Sequence, residues 1–556
     1  MQYKQEYFIK SLIISYDRFF LDKFQAAGGK MILDGATLSV RDISRMSGNP
    51  QIRVEISPEI EKRVRASREM LDRFVKSGRV IYGVTTGVGG FVNWLVPPRL
   101  AEQLQNNILR GVSSNVGSYL DDVYVRASML ARLNSLGRGV SGISFENYRK
   151  YVELYNAGIV PCIPEKGSLG ASGDLGPLAY IALVGTGHWL ARCEGEIMDG
   201  GKALEKKGLE PMRLNYKEGL ALINGTSAMT GVAACITEEA RMLISSYLLV
   251  SALSIETLKG KIMPFHPAAH ENKPHPGQAL VAEALFRLLQ DSRMVVQDAE
   301  VERWLQQLKS EQPQGMEQQI EDPYTIRATP QILGPVVDTL SSVKRTVETE
   351  LNSTNDNPLI VVERGEAYHN ANFHGQYIAN AMDQLSIVLT TMCNLSDRRS
   401  DRFLDPGHNH GLPPFLCREN PGLRHGMMGG QYAATSLTAE NRSLCVPVSI
   451  QTLPSTGDFQ DHVSFGLVAA RRTREILGNA FYILGYELLC ACQAADCRDP
   501  EELGSSTVKV YQRVREEVPY LDRDESLTTH IETAARLLRD GSILEAIPAG
   551  LDVFET

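Results

Sequence analysis

The chain has 556 residues, with 57 Lys+Arg against 66 Asp+Glu for a net charge of −9, and it is 43 % apolar and 22 % charged. This composition provides ample apolar mass for a large core, and it excludes a disordered tail protein, a collagen-like chain and a disulfide-stapled miniprotein. The acidic balance argues against non-specific nucleic-acid binding, whose footprint is a basic patch.

Residues 1–30 read as an extension ahead of a main domain that begins near Met31. Charges punctuate the apolar residues of this segment and no small-residue cleavage site follows, so it is not read as a signal peptide. No run reaches the roughly 18 apolar residues that a membrane crossing needs. A glycine-rich stretch, Tyr82-Gly-Val-Thr-Thr-Gly-Val-Gly-Gly90, comes next and runs into FVNWLVPP. It has neither the G-x-G-x-x-G spacing nor a following Gly-Lys-Ser/Thr, so a phosphate loop is rejected and Tyr82–Pro98 reads as a mobile surface loop. A second glycine-rich stretch spans Gly167-Ser-Leu-Gly-Ala-Ser-Gly-Asp-Leu-Gly176. Met229–Leu253 is a helix candidate. From Val336, apolar residues at Val337, Leu340, Val343, Val347 and Leu351 keep helical spacing, predicting a helix that starts after Pro335 and ends at Asn352. Val463–Cys497, free of proline, reads as one long helix. Helices apolar on several sides imply burial among other helices, hence a long-helix bundle.

His266, His270 and His275 alternate with prolines, and His408-Asn-His410 is a metal-like pair, but neither pattern has the ligand spacing of a metal site. The nine cysteines, including Cys490, Cys492 and Cys497 within one helical stretch, fit no usual zinc pattern and read as buried thiols of a cytoplasmic protein. The sequons at Asn224, Asn352, Asn394 and Asn441 then carry no meaning. Neither a Gly-x-Ser-x-Gly nucleophile elbow nor the Gly-Ser-Ser-x-Met loop of fumarase-type enzymes is present.

The chemistry concentrates at Ala171-Ser172-Gly173. Glycine at 173 leaves its backbone nitrogen free of Cβ crowding, so close approach to the carbonyl carbon of residue 171 is sterically possible. Attack by that nitrogen with loss of two waters makes a five-membered imidazolone and turns Ser172 into an electrophilic methylene, which no standard side chain provides.

The segment GSLGASGDLGPL resembles the signature of the aromatic amino acid ammonia-lyases and aminomutases, which build 4-methylidene-imidazole-5-one (MIO) from Ala-Ser-Gly. The resemblance runs through Tyr82-Gly-Val-Thr-Thr-Gly87, GLALINGTSAM around Asn224, Tyr324-Thr-Ile-Arg327, Asn355-Asp-Asn-Pro358, Asn372-Phe-His-Gly375 and Gly457-Asp-Phe-Gln-Asp-His462. GGFVNWLVP, CIPEKGSLG and STGDFQDHVSFGLVAARR look most like bacterial phenylalanine 2,3-aminomutases of antibiotic pathways. The resemblance implies a mainly α fold with a long central helix bundle (226–556) and a smaller, loop-rich MIO-bearing domain (31–225) with 82–98 as its lid. It implies a homotetramer with shared active sites, a self-made MIO, no dissociable cofactor, no metal, and no nucleic-acid or membrane partner.

By the same resemblance Tyr82 is the catalytic base, a role that calls for a pKa brought down from about 10 by nearby positive charge or helix N-termini. Ala171, Ser172 and Gly173 form the MIO. Tyr324 lies over it, and Arg327 grips the substrate carboxylate. Asn224, Asn355, Phe373, Phe459 and Gln460 surround the substrate, and Glu321 stands where many lyases carry Gln. Ile108, Val112, Leu175 and Leu220 form an apolar ring pocket. Val112 occupies the place of the His that tyrosine- and histidine-specific members use, and a buried valine leaves a phenol hydroxyl unpaired at a cost of about 1–3 kcal/mol. Tyr432, in place of an expected Phe, points the other way. The expected activity is conversion of L-phenylalanine to β-phenylalanine, the (S) product, through cinnamate. The alternatives are a phenylalanine or tyrosine ammonia-lyase and a catalytically silent helical scaffold.

Overall fold

The computed structural model describes residues 29–297, 299, 303, 312–313 and 319–548. The expected extension therefore lies, up to residue 28, outside the described residues. Helices dominate, and the strands form only small sheets of two or three members. The chain divides into two compact units. The first takes the chain up to Glu238 together with Val343–Asp383 and Pro447–Arg472, and the second takes Glu239–Ser342, Gln384–Val446 and Thr473 onward.

Four long helices carry this architecture: Ser227–Thr257, Thr329–Leu351, Gln376–Leu404 and Gly466–Cys497. A boundary between the two units falls inside each of them. The first and last contain or nearly match the sequence-predicted helices. Gly466–Cys497 is long and apolar enough to cross a membrane by composition, but 78 % of its most apolar stretch is buried inside the fold, as in the core helix of a globular protein.

The second of these helices starts at Thr329, not after Pro335 as the periodicity predicted, and Pro335 lies inside it. A proline there removes one intrahelical donor and crowds the preceding turn. Tertiary packing overrides it: a Cβ on Gly277 would lie 2.3 Å from the Gly334 carbonyl oxygen, so helix Pro276–Leu289 packs backbone against backbone on this first turn. The proline-interleaved histidines are structural. His266 Nδ1 accepts the Ala268 amide at the start of helix Pro267–Glu271, and His270 is buried between the Pro264 carbonyl and the Gln278 amide.

In the first unit, helices Ala101–Val112, Leu175–Gly185 and Glu218–Ile223 pack pairwise on one another. Leu175–Gly185 is apolar and buried along nearly its whole length, so it can only sit inside a core. Its N-terminus directly follows the Ala171-Ser172-Gly173 turn. The N-terminus of Ser227–Thr257 directly follows Asn224 and Gly225.

The second unit is organised around a fully buried ion pair. Arg399 Nε donates to Glu487 Oε1 at 2.6 Å and Arg399 Nη2 to Oε2 at 3.2 Å. Ser254 and Ser396 hydroxyls donate to the same carboxylate at 2.8 and 2.5 Å, and the guanidinium stacks on Tyr247. Removing one partner leaves the other charge buried and alone. Glu487→Ala is expected to destabilise the protein by about 3–5 kcal/mol, measured as the shift in the urea-denaturation midpoint, with Arg399→Met/Glu487→Met less damaging than either single change.

Candidate active site

The Ala171-Ser172-Gly173 turn is held by backbone packing. Gly173 has φ +68°, and a Cβ there would lie 2.0 Å from the Gly225 carbonyl oxygen. The next amide, Asp174 N–H, donates to that same oxygen at 2.7 Å. Gly225 has φ +149°, and a Cβ on it would lie 2.3 Å from Asn355 Oδ1 and 2.5 Å from Arg132 Nη1. Three layers are thus stacked with no space for side chains between them. On the other side of the turn, Ser464 Oγ donates to the Gly170 carbonyl at 2.9 Å and Phe465 N–H to Leu169 at 2.9 Å. Gln460 Nε2 donates to Ser172 Oγ at 2.9 Å, and Asn224 Nδ2 donates to the Ser172 carbonyl at 3.2 Å.

Beneath this turn is a network that sequence reasoning missed. Arg132 is wholly buried; its Nη1 donates to Asn355 Oδ1 at 3.1 Å and its Nε to the Ala221 carbonyl at 3.0 Å. Asn355 Nδ2 donates to Thr226 Oγ1 at 2.8 Å. Lys217 and Asp356 form a fully buried ion pair at 2.7 Å. Arg132 lies in helix Asp122–Gly137, and a charged residue amid the apolar residues of that helix is the one signal that could have marked it.

Tyr82 opens a tight loop. Val96 N–H donates to Thr85, Gly87 N–H donates to Trp94, and Thr86 pairs with Leu95, so Thr85–Val96 forms a closed hairpin. Its apolar tip, Phe91, Trp94 and Leu95, stands in solvent. Gly89 N–H donates to the Tyr82 hydroxyl at 2.9 Å, and Tyr82 N–H donates to His369 Nε2 at 3.1 Å. The expected lowering of the Tyr82 pKa is not found: burial pushes the phenol up, and only the Gly89 amide pulls it down. The physical reason is that burial outweighs the one hydrogen bond that favours the charged oxygen, from the Gly89 amide at the start of the short helical turn Gly89–Phe91.

The remaining candidates of the first unit fall into two groups. Ile108 and Leu220 are buried, and Val112 and Leu175 are half-buried, on the three helices that pack pairwise. Phe373 is half-buried in the turn before helix Gln376–Leu404. Phe459 is largely exposed beside Gln460, whose Oε1 accepts the Ser455 hydroxyl at 3.1 Å. In the second unit, Tyr324–Arg327 forms one helical turn, with the Arg327 guanidinium 5.1 Å from the Tyr324 ring centroid. Arg327 Nη1 pairs with Glu321 at 2.6 Å. Glu321 is exposed and Arg327 half-buried, so the pair contributes at most about 1 kcal/mol. Tyr432 is 68 % exposed on helix Met428–Leu444, so within this chain it lines no buried pocket. The described residues contain no group of three or more His, Cys, Asp or Glu arranged to hold a metal ion.

The aromatic amino acid lyase family model matches residues 38–516. The chain is 42 % identical over 530 residues to a tyrosine ammonia-lyase of Cupriavidus metallidurans, covering 94 % of this chain and 98 % of the relative. It is 38 % identical over 515 residues to a histidine ammonia-lyase of Natranaerobius thermophilus, covering 93 % and 98 %. Among solved structures, a phenylalanine aminomutase of Pantoea agglomerans superposes with a TM-score of 0.90 at 52 % identity, covering 92 % of this chain and 99 % of that one. The chain therefore belongs to the aromatic amino acid lyase family, with the mainly helical fold of the MIO-dependent ammonia-lyases and aminomutases.

The residues present fit a self-made MIO. Gly173 takes a backbone conformation that no side chain could share with Gly225, and the Ser172 hydroxyl is already held by Gln460. Asp174, fully buried beside the turn, accepts Met229 N–H at 2.6 Å and the Ser168 hydroxyl at 2.8 Å. Burial pushes its carboxyl up to about 7, against these donors, which pull it down. A carboxyl whose folded value lies above its unfolded value favours the fold when protonated, so this contribution is full at low pH and is lost as pH rises through about 7. The stability of the protein relative to Asp174→Asn is expected to fall between pH 5 and pH 7.5, read as the difference in denaturation midpoints at the two values; an unchanged difference would show that Asp174 does not titrate there.

Proposed function

We propose that the protein is a phenylalanine 2,3-aminomutase, converting L-α-phenylalanine to (S)-β-phenylalanine through bound cinnamate. The observation that carries this reading is the left-handed Gly173 turn stacked on Gly225, with Ser172 held between the Gln460 and Asn224 amides. Its likeness to a phenylalanine aminomutase at 52 % identity over nearly the whole chain supports it. The MIO formed from Ala171, Ser172 and Gly173 supplies the electrophile that makes the substrate amine a leaving group.

The chain's own residues do the rest. Tyr82 Oη takes the β-proton, with the Gly89 amide stabilising the oxygen as its charge grows. Arg327 exchanges Glu321 for the substrate carboxylate, where a planar guanidinium suits a bidentate pair. Tyr324, whose ring centroid lies 5.1 Å from the Arg327 guanidinium, is the residue this reading assigns to cover the electrophile in the assembled homotetramer. Asn224, Asn355, Phe373, Phe459 and Gln460 surround the substrate, and Ile108, Val112, Leu175 and Leu220 enclose its ring. The amine then returns to the β-carbon and a proton to the α-carbon. The site is completed in a cytoplasmic homotetramer, whose neighbouring subunits cover the exposed Phe91, Trp94, Leu95, Tyr324 and Tyr432. No metal or dissociable cofactor takes part.

A lyase is the second reading, favoured by the 42 % identity to a tyrosine ammonia-lyase. Incubation with L-phenylalanine, with cinnamate and β-phenylalanine quantified together over time, separates the two. β-Phenylalanine in excess over cinnamate is the expected result, and cinnamate with stoichiometric ammonia would establish the lyase. Ser172→Ala is expected to lose both products and the two-water mass deficit of the intact chain. Val112→His is expected to raise the kcat/KM of tyrosine relative to phenylalanine by about tenfold, because it gives a ring hydroxyl a partner. No change in that ratio would remove Val112 from the ring pocket.

A further inference from the structure

His369 is absent from every sequence motif noted above, yet it touches the segment that bears the base. It follows the short strand Glu366–Tyr368, which pairs with Leu359–Val361 in a hairpin. Ile360 of this hairpin shares a buried apolar cluster with Ile81 and Val84 on either side of Tyr82, and two polar contacts join the hairpin to the same segment. Arg79 pairs with Glu366, and Tyr82 N–H donates to His369 Nε2 at 3.1 Å. A backbone amide only donates, so Nε2 is the acceptor and the ring proton sits on Nδ1.

The chain of contacts continues from there. The adjacent Asn370 N–H donates to Asn357 Oδ1 at 2.8 Å, Asn357 N–H donates to Asn224 Oδ1 at 2.9 Å, and Asn224 Nδ2 donates to the Ser172 carbonyl at 3.2 Å. The two reacting groups therefore hang on one strut. At one end is the backbone of Tyr82, and at the other is the carbonyl of Ser172. Apart from covalent neighbours, every link is a hydrogen bond to a side chain of His369, Asn357 or Asn224. Asn357 and Asn224 are buried and shielded from competing water. His369 is exposed, so it is the link that a substitution can remove without leaving a cavity.

We propose that His369 is a positioning residue that fixes the distance between the Tyr82 base and the Ser172-derived electrophile, and that its Nε2 acceptor limits escape of the olefin intermediate. This rests on the aminomutase reading. An aminomutase must hold the olefin until the amine returns, and Tyr82 is the first residue of the Tyr82–Pro98 lid. Loosening its backbone lets the lid open before re-addition and misplaces the base for both proton transfers.

The test compares His369→Leu, which has no acceptor, with His369→Gln, whose side-chain carbonyl can accept the Tyr82 amide. Intact mass first establishes that each variant has lost two waters, and circular dichroism that each is folded. With L-phenylalanine, His369→Leu is expected to raise the cinnamate fraction and lower kcat about two- to tenfold with KM little changed, the size of one lost hydrogen bond. His369→Gln is expected to stay near the wild type on both measures. Two results would overturn the proposal: a His369→Leu protein with wild-type partition and kcat, or a His369→Gln protein as impaired as His369→Leu, which would mean that ring packing matters and the acceptor does not. A wild type that releases only cinnamate overturns the aminomutase reading instead, and the two variants then still report on His369 through kcat.

Discussion

The structure depends on a region where there is no room for side chains. Gly173, Gly225 and the Asn355–Arg132 pair lie in successive layers, and a single methyl group on either glycine would come within 2.0–2.3 Å of the next layer. Close packing of this kind leaves no alternative arrangement to relax into. It fixes the Ala171–Gly173 turn against the start of helix Ser227–Thr257, and Asp174 ties the two together through the Met229 amide. A reactive turn on an ordinary loop would sample many conformations. This one is held by backbone contacts on one face and by Ser464 and Phe465 on the other.

Beneath that layer, charge is buried where it cannot escape. Arg132 is held by carbonyl and amide oxygens, and Lys217 by Asp356, all at essentially zero exposure. Burial works against the ionised forms, pulling the Arg132 and Lys217 pKa values down, and Asp356 works to hold both up. Such groups contribute little net stability, but removing any one strands the others. Through these contacts they place Asn355 and, through Asp356 and Asn357, Asn224.

The sequence made the reactive tripeptide legible because the chemistry needs a residue without a Cβ at 173. The long helices were legible because 3.6-residue periodicity survives over many turns, as in Ser227–Thr257 and Gly466–Cys497. What hid the start of helix Thr329–Leu351 was Pro335, a local signal overruled by the Gly277–Gly334 contact from a distant segment. Helix Gln376–Leu404 went unread. The pKa direction of Tyr82 was misread for a related reason: the sequence shows a tyrosine beside glycines, but only the fold shows that a lone amide faces its oxygen. Arg132 reaches Asn355 and His369 reaches Tyr82 across 223 and 287 residues of chain, and no local pattern marks such residues.

The chemistry is set by the whole fold, whereas the choice of product turns on a small energy. A tenfold change in the ratio of retained to released olefin corresponds to about 1.4 kcal/mol, the strength of roughly one hydrogen bond. A fold of this size rests on hundreds of contacts, so lyases and mutases can share it almost without change. The residues that set the partition should then lie where one contact governs the opening of the site. The Tyr82–Pro98 hairpin is such a place. It is closed by its own backbone pairing between Thr85 and Val96, and Phe91, Trp94 and Leu95 are exposed at its tip. Its base is fixed by Ile81 and Val84 in a buried apolar cluster and by the Gln105 amide on the Gly83 carbonyl. Near that base, the Tyr82 amide donates to an imidazole nitrogen of His369, a contact whose energy is of the same order as that of a tenfold change in such a ratio.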